Sequence, residues 1–277
     1  MNLALKDIEP IEQMTIFNEG ALTLDNYRQK VTEAEEFLLT LPQVEPEVSQ
    51  LFIPGLYSRT ITIPTGMILT GGVHKMDSII FVSKGKIIVA TEDGNKTIEA
   101  PASFIGKKGI KRIAYCVEEC VWTNVHQYNG TPLDEDSMKD YIVCTNYADY
   151  EIFLAQEDYR KFLSEIGMTD LQVVSLVTQT DDVVDFDERT DVDIAPSKLS
   201  CNGIIATREF KEGERIGKGS HGENRTPLTR FTNHSHQPNV KCSMVGRDLI
   251  FSASKHIADG QELTVDYRDV VSLRRQL

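Results

Sequence analysis

Two short stretches near the C-terminus carry the side chains best suited to chemistry. The run RFTNHSHQPN (Arg230–Asn239) holds an aromatic ring, amides and histidines, residue types that favour turns and local hydrogen bonds over helix or strand periodicity. Further on, in ELTVDY (Glu262–Tyr267), Leu263, Val265 and Tyr267 alternate with polar residues. This alternation predicts a half-buried strand. A polar loop and a strand that delivers a tyrosine together indicate a functional site.

The chain around these stretches predicts a small all-β unit. Ile204–Thr207 and Glu214–Gly217 have strand patterns and flank a Lys-Glu-Gly turn, and Leu249–Ala253 is a further strand before an Asp-Gly turn. Irregular connections as long as those between these strands are usually functional or disordered in so small a unit.

The order CNGIIATREFKEGERI, RFTNHSHQPN and DLIFSASKHIADGQELTVDY resembles the SET family of S-adenosylmethionine-dependent protein lysine methyltransferases. The resemblance implies that Tyr267 is catalytic and aims its hydroxyl at the methyl group and the amine. It also implies that Asn233, His234 and Tyr267 bind S-adenosylmethionine, with Phe231 beside it. Gly203 would let the backbone approach closely. Methyl transfer depends on holding a neutral amine in line with the sulfonium methyl, so positioning matters more than strong acid or base.

Three features depart from the family pattern. Cys201 stands where the first glycine of a Gly-x-Gly usually lies. His236 stands where many members have a zinc-binding cysteine, and no cysteine cluster follows, so we infer no metal site. Only 29 residues separate Gly203 from Asn233, so the insert that builds one wall of the lysine channel is almost absent. The substrate channel is therefore open, borrowed from the N-terminal part, or lost.

The region from Leu51 to His126 has a different pattern, with short apolar runs separated by turn residues. Strands joined by Lys-Gly or Asp-Gly turns predict a β-sandwich or closed barrel. GMILTGGVHKMDSIIFVSKG and APASFIGKKGIKRIAYCVEECVWTNVH resemble the two motifs of the cupin family, which are small jelly rolls.

Cupin metal sites need several histidine or carboxylate ligands around one ion. The first motif's histidine pair falls on His74 and Met76, and the second motif's histidine falls near Lys111 or Arg112. With His126 as an unmatched partner, two histidines are too few for an ion site. A metal-free jelly roll used as a ligand pocket or a dimer module is the favoured interpretation.

Helices flank the barrel in the predicted structure. Thr23 caps a helix running to about Leu41, whose apolar stripe indicates packing or a subunit contact. Asp134 or Asp136 caps a helix through about Val143. A further helix covers roughly 156–166, LQVVSLV is a strand or a buried helix end, and the acidic stretch 181–193 is a solvated linker.

Composition limits the function classes. The 277 residues carry a net charge of −13, and their hydrophobic content of 40% is typical of globular proteins. Counting from Asp191 gives 13 basic and 11 acidic residues, so the first 190 residues carry 16 and 31, a balance of −15. Such an acidic part argues against nucleic-acid binding and could attract a basic protein or peptide. Five cysteines without a CxxC pair, and no apolar block of membrane or signal-peptide length, indicate a cytoplasmic protein.

These observations predict a mainly β protein with some α: a cupin-like jelly roll with flanking helices, followed by a small SET-like β unit. The predicted segments are an N-terminal arm and helix (1–50), a cupin-like β-barrel (51–130), a helical segment (131–180), an acidic linker (181–193) and a SET-like domain (194–277).

The predicted function is a SET-type, S-adenosylmethionine-dependent methyltransferase acting on a protein lysine, with a homodimer as the expected assembly. A non-catalytic binding or assembly protein, with a degenerate SET unit and a ligand-binding barrel, is the alternative. A cupin part that is itself an enzyme or a sugar binder is a third hypothesis. The combination of the two domains resembles small bacteriophage proteins, which would place the chain in the host cytoplasm.

Overall fold

A computed structural model describes residues 2–4, 15–17, 20–179, 181–185 and 191–274. The chain forms two compact units, residues 1–150 and 151–277. Over the two units together more described residues lie in strands than in helices, so the predicted fold class, mainly β with some α, is confirmed. None of the helices in the described ranges has the length and apolar character needed to cross a membrane.

The first unit is built on a large antiparallel sheet. The strands of this sheet are β1 (Asn2–Ala4), β2 (Glu47–Ile53), β3 (Gly55–Ile63), β4 (Ile68–Thr70), β6 (Ser78–Thr91), β7 (Gly94–Glu99), β8 (Ala102–Gly106) and β9 (Ile113–Tyr128). Strands β5 (Val73–His74) and β10 (Val143–Cys144) pair with each other in a separate sheet. The helices of the unit are α1 (Leu24–Leu39) and α2 (Glu135–Ile142), and α3 (Tyr147–Ile166) begins at its end; a 3₁₀ turn covers Thr15–Phe17.

Two long strands organise this sheet. Strand β9 pairs with β3, β4 and β6, and strand β6 pairs with β7, β8 and β9. Side chains that alternate along these strands face one apolar core, which includes Ile61, Ile80, Val89 and Trp122. The period of two along each strand therefore gives the unit an apolar interior and a second, outward face.

Gly85 corrects one expectation about the strand connections. The Lys-Gly pair at this position was predicted to be a hairpin turn, but β6 continues through it with irregular register between Val82 and Ile87. Gly85 has φ +82°, and a Cβ there would lie 2.1 Å from the carbonyl oxygen of Glu119. Only glycine fits so close to the neighbouring backbone, and the resulting bulge bends the strand instead of ending it. The Asp-Gly pair at Gly94 does connect β6 to β7.

Helix α1 packs against the sheet of its own unit. Thr23 caps it by accepting a hydrogen bond from the backbone of Asn26 at 3.3 Å, as predicted. Its apolar stripe contacts strand residues of the same unit; the cluster includes Tyr27, Val31, Leu38, Ile68, Ala90 and Ile113. The stripe therefore has a partner within its own unit, and a subunit contact is not needed to cover it.

A buried ion pair joins α1 to the end of the sheet. The Lys111 ammonium lies 2.5 Å from a carboxylate oxygen of Glu35 and 2.8 Å from the carbonyl of Thr145. The Lys111 side chain is 2% exposed and that of Glu35 17%. Because a buried charge is costly unless it is paired, the helix is held at one position on the sheet.

The second unit has shorter elements. Its strands are β11 (Val192–Pro196), β12 (Asn202–Ala206), β13 (Arg215–Lys218), β14 (Ser220–His221), β15 (Asn224–Arg225), β16 (Asn233–His234), β17 (Val240–Val245), β18 (Asp248–Ala253) and β19 (Glu262–Val265). Its helices, after most of α3, are α4 (Asp170–Thr178), α5 (Pro227–Phe231) and α6 (Tyr267–Arg274).

Two helix predictions need correction. Helix α3 begins at Tyr147, well before the expected start near residue 156. The run LQVVSLV is helix α4, neither a strand nor a buried helix end, since Leu171 is 80% exposed. Thr169 and Gln172 form a capping box that starts this helix, a local interaction that outweighs the β-branched composition of the run. The predicted helix capped by Asp134 is confirmed.

The described parts of the acidic stretch contact the second unit. Asp182 accepts hydrogen bonds from the Arg225 guanidinium at 2.6 and 2.7 Å, and Asp191 accepts one from Arg208 at 2.9 Å. Residues 186–190, the centre of the predicted linker, lie outside the described residues. The boundary between the compact units falls at residues 150 and 151, ahead of this stretch.

We expect Glu35→Gln to lower the free energy of unfolding of the first unit by about 3 kcal/mol, because the Lys111 ammonium would stay buried without its carboxylate. Urea unfolding monitored by the fluorescence of Trp122 would measure the change. Glu119→Gln is the matched control. The Glu119 side chain is 50% exposed and that of its ion-pair partner Lys84 is 62% exposed, so the loss of unfolding free energy should stay below about 1 kcal/mol. Equal losses in both variants would contradict a structural role for the buried pair.

Candidate active site

A parallel strand pair brings the two polar stretches together. In the sheet ordered β11-β12-β19-β16, Asn233 lies opposite Thr264 and His234 opposite Val265. Asn239, which is 3% exposed, fastens the loop beyond β16 to β19. Its amide donates to the Glu262 carbonyl at 2.8 Å and its oxygen accepts from the Thr264 backbone at 2.8 Å. The short strand is thus held in place by the turn residues that follow it.

Tyr267 does not lie on a strand, as the alternation predicted. Strand β19 ends at Val265, and Tyr267 is the first residue of α6. Asp266 accepts a hydrogen bond from the backbone of Arg268 at 2.9 Å, which starts the helix. Leu263, Thr264 and Val265 are all buried, so the strand is covered on both faces and is not half-buried. The change from strand to helix places the phenol in the interior.

The phenol hydroxyl of Tyr267 is hydrogen-bonded to a backbone carbonyl. Its hydroxyl donates to the carbonyl oxygen of Thr232 at 3.2 Å. Burial raises the pKa of Tyr267 to about 12; Glu262 also raises it, whereas Arg230 lowers it. The hydroxyl is therefore protonated at neutral pH, and two oxygen atoms, one phenolic and one carbonyl, lie side by side.

His234 is bound to protein at both ring nitrogens. Its Nδ1 accepts a hydrogen bond from the backbone N–H of Tyr267 at 3.2 Å, and its Nε2 lies 3.0 Å from Asp158. Since Nδ1 is an acceptor, the proton belongs on Nε2, which donates to Asp158. Burial lowers the pKa of His234 below its ordinary value, although Asp158 and Asp266 act in the opposite direction. The ring is neutral and orients the start of α6.

Helix α3 supplies a wall that the sequence motifs did not reveal. The Arg268 guanidinium binds Asp158 at 2.9 Å and Glu165 at 2.7 Å. On the same helix, the rings of Tyr159 and Phe162 lie 6.2 and 5.8 Å from the ring of Tyr267, both edge-on. Aromatic pairs in this geometry stabilise each other. The apolar face predicted for residues 156–166 is present. It packs on Tyr267, about a hundred residues further along the chain, and no sequence pattern indicates this contact.

Asn233 and Gly203 lie together on the other side of the strand pair. The Asn233 amide donates to the carboxylate of Glu262 at 2.8 Å and to the carbonyls of Ser200 and Asn202 at 3.2 Å. A Cβ at Gly203 would lie 2.3 Å from Glu262 Oε1, so glycine leaves the space that this carboxylate fills. The sequence missed Glu262, because a carboxylate at the start of a strand usually faces solvent.

Cys201 adopts the backbone conformation of the glycine that it replaces. Its φ is +43°, in the left-handed region that L-residues rarely occupy, and its side chain is exposed. The Gly-x-Gly turn therefore keeps its shape at the cost of local strain. The side chain is exposed to solvent and does not narrow the interior.

Phe231 ends helix α5 and packs against the apolar core of the unit. Next to it, the Arg230 guanidinium lies 4.9 Å from the Phe231 ring. Arg230 Nε is buried and has no hydrogen-bond partner among the described residues. Its charge also acts on the Tyr267 phenol. A guanidinium beside the tyrosine, with a buried Nε that has no partner among the described residues, is suited to a bound carboxylate.

A family comparison assigns this part of the chain. Residues 218–268 match the SET domain family, a range that includes β16, β19 and Tyr267. These residues are a SET domain. The predicted SET-like C-terminal unit is confirmed, and the segment 202–206, which lies before the matched range, shares a sheet with it. None of the curated protein sequences is significantly similar to the chain.

Solved structures are similar to the N-terminal region. A cupin-2 domain protein from Shewanella frigidimarina has 18% identity and a TM-score of 0.26, over 35% of this chain and 92% of that one. An RmlC-like cupin with a double-stranded β-helix fold from Methanocaldococcus jannaschii has 9% identity and a TM-score of 0.28, over 31% of this chain and 82% of that one.

The SET family implies S-adenosylmethionine, and the residues present fit it. The Arg230 guanidinium, whose buried Nε has no partner among the described residues, matches the carboxylate of the methionine part. The oxygens of Tyr267 and Thr232 match a methyl group that bears partial positive charge. For a metal the donors are lacking: within the described ranges, no three His, Cys, Asp or Glu side chains are grouped so that they could hold an ion.

We expect Asp158→Asn to remove a pH-dependent part of the stability of the second unit. Burial acts to raise the pKa of Asp158, but hydrogen bonds from Arg268 and His234 outweigh it and hold the pKa below its ordinary value. A depressed carboxyl pKa stabilises the fold above the ordinary value of about 3.9 and ceases to do so as the pH falls through the folded value.

Thermal unfolding of wild type and Asp158→Asn between pH 3 and pH 7 would measure this effect. The difference in melting temperature should be largest near pH 7 and should shrink below about pH 4. Asp259→Asn, at an exposed turn, is the matched control and should show no such trend. A difference for Asp158→Asn that stays constant with pH would contradict the assignment.

Proposed function

We propose that the second unit transfers a methyl group from S-adenosylmethionine to a lysine side chain of a protein. The observation that carries the proposal is the pair of oxygens made by the Tyr267 hydroxyl and the Thr232 carbonyl, 3.2 Å apart, inside the part of the chain that matches the SET family. Neither oxygen is an acid or base at neutral pH, and methyl transfer needs positioning more than proton transfer.

When bound, S-adenosylmethionine supplies a methyl group on a positively charged sulfur. In the proposal, Arg230 binds its carboxylate, and the backbone at Gly203 and Asn233 lines its other side. The protonated phenol of Tyr267 can accept weak C–H contacts from the methyl group and also orient the attacking amine. His234 acts through position alone, since its hydrogen bond to the Tyr267 backbone fixes where the phenol lies.

A basic protein or peptide is the proposed substrate. The excess of acidic residues in the first 190 positions, 31 against 16 basic ones, would attract a positively charged chain. The aromatic rings of Tyr159 and Phe162 beside Tyr267 offer an apolar surface to the methylene stem of a lysine. They would supply part of the channel wall that the short segment between Gly203 and Asn233 cannot build.

We expect Tyr267→Phe to lower methyl transfer by about a hundredfold while it leaves S-adenosylmethionine affinity within about twofold, because the hydroxyl acts on the reacting groups and the ring keeps its packing. Transfer of a labelled methyl group to an array of lysine-containing peptides would measure the rate, and calorimetry the affinity. Tyr141→Phe, at a 46% exposed position, is the matched control and should behave as wild type.

Asn233→Ala is expected to weaken S-adenosylmethionine binding, because it releases Glu262 and the carbonyls at 200 and 202 from one anchor. Activity that survives in both the Tyr267 and the Asn233 variants would show that the site is elsewhere.

A non-catalytic binding or assembly role is the second candidate. It is favoured by the degree to which the family residues are engaged with protein: both His234 nitrogens and the Asn233 amide have protein partners, and Glu262 fills the space at Gly203. Calorimetry separates the candidates. Micromolar affinity for S-adenosylmethionine supports the enzyme, and no binding up to millimolar concentration supports the assembly role.

We also propose that the chain forms a homodimer through the outward face of its barrel. One row across neighbouring strands follows the registers 51–58–125–79–105. Apart from position 58, it consists of Leu51, Val125, Ile79 and Ile105. Leu51 is 69%, Ile79 52% and Ile105 59% exposed. An apolar row of this kind on an exposed sheet face favours association with a second copy.

We expect light scattering to give twice the chain mass of 31.2 kDa for wild type and the single mass for Ile105→Lys, since a charge in the row would have to be desolvated in the dimer. Val245→Lys, at a 66% exposed position in the other unit, is the matched control and should remain dimeric. A monomeric wild type would refute the dimer.

A further inference from the structure

Arg112, which has no direct side-chain partner among the described residues, lines a partly open cavity in the predicted barrel of the first unit (51–130). The cavity has a volume of about 70 Å³, and its walls are mainly aliphatic, including Ile61, Leu69 and Val89. The polar groups that reach it are Arg112, His74 and Asn124. Arg112 has no side-chain hydrogen bond and no ion pair with any described residue, and burial lowers the pKa of its guanidinium, although Tyr27, Glu92 and Tyr147 act to raise it.

The histidines beside the cavity are neutral and also incompletely bonded. His74 stacks on His126 with 5.7 Å between ring centres, and neither Nδ1 has a hydrogen-bond partner within the described ranges. Burial lowers the pKa of His74 to about 3, with Arg112 and His126 adding to the effect, and burial lowers that of His126 to about 4. Arg112 is therefore the positive charge of the cavity at neutral pH.

A groove leads to this cavity from outside. Val89 and Arg112 line both spaces, and the groove has a volume of about 720 Å³. Besides Arg112, it is lined by Lys96, Lys107 and Lys108, against Glu92 and Asp93 as its acids. The first 190 residues carry a net charge of −15, but basic side chains are in excess in this groove. This local excess favours the approach of an anion.

We propose that the barrel binds a small aliphatic carboxylic acid, with the carboxylate on Arg112 and the hydrocarbon part in the cavity. The guanidinium of Arg112 is partly buried and makes no direct hydrogen bond or ion pair with the described residues, so a ligand of opposite charge would compensate for its burial. A carboxylate pairs with a guanidinium through two parallel hydrogen bonds. The aliphatic walls exclude a ligand that is polar throughout.

The size of the cavity limits the ligand. A cavity of roughly 150 Å³ admits benzene, so 70 Å³ holds about three or four non-hydrogen atoms. The hydrocarbon parts of acetate and propionate, one and two carbon atoms, meet this limit when the carboxylate lies on Arg112, and a longer acid would need to extend into the groove. This site does not depend on the proposed methyltransferase, because it lies in the other unit.

The single tryptophan provides a local readout. Trp122 lines the cavity, so its fluorescence reports on what enters. Propionate should change the emission of the full-length protein in a saturable way, whereas the uncharged propionamide and inorganic phosphate at the same ionic strength should not. Saturation by phosphate but not by propionate, or no response to either acetate or propionate, would overturn the proposal.

Variants of Arg112 test the assigned residue. Arg112→Met should weaken propionate binding at least about tenfold, and Arg112→Lys should weaken it less, because the charge is kept and the planar fork is lost. The melting temperature of ligand-free Arg112→Met should equal or exceed that of wild type, since an uncompensated charge is removed. Arg59→Met, on the same barrel but paired with Glu135 away from the cavity, is the matched control and should bind propionate normally. Unchanged binding by Arg112→Met would refute the site.

Discussion

The second unit depends on a two-residue parallel strand pair. Strand β16 is too short to be stable alone, and its pairing with β19 brings together two segments that lie some thirty residues apart. Asn239 closes this arrangement, because its side chain satisfies one donor and one acceptor of β19. Buried backbone groups must be bonded, so loss of this amide would leave both unsatisfied. The position of Thr232, His234 and Tyr267 follows from this one contact.

Once the strand pair is formed, the candidate site is completed by protein partners. Asp158 binds both His234, which accepts a hydrogen bond from the Tyr267 backbone, and Arg268, the residue after the tyrosine. The phenol then has little freedom: its ring is packed by Tyr159 and Phe162, and its hydroxyl is directed at a carbonyl. A rigid site of this kind serves catalysis by positioning, and it costs no reorganisation when the substrates bind.

The sequence predicted the parts of this protein that depend on local rules. Capping by Thr23 and Asp134 and the alternation along the barrel strands are visible in short windows, and these predictions are confirmed. The motifs also located Asn233, His234 and Tyr267 in one region. The motifs could not show tertiary contacts. Asp158 and Arg268 form a hydrogen bond although they lie 110 residues apart, and neither segment contains a pattern that indicates the other. The turn predicted at Gly85 was wrong for the opposite reason, because the closeness of a neighbouring strand outweighed a local turn rule.

Two consecutive basic residues of the barrel, one buried and one partly buried, differ in whether the protein supplies a direct partner for their charge. Lys111 is buried, but Glu35 and the Thr145 carbonyl satisfy its ammonium, so its charge stabilises the contact between helix and sheet. Arg112 is one residue further, faces the cavity, and has no such partner in the described parts of the chain. A partly buried guanidinium without a direct hydrogen-bonded partner lowers the stability of the free protein, and an apolar residue of similar size would fill the space better. Since packing cannot account for Arg112, its charge is explained by what enters the cavity, and the partner missing from the fold is a ligand with the opposite charge.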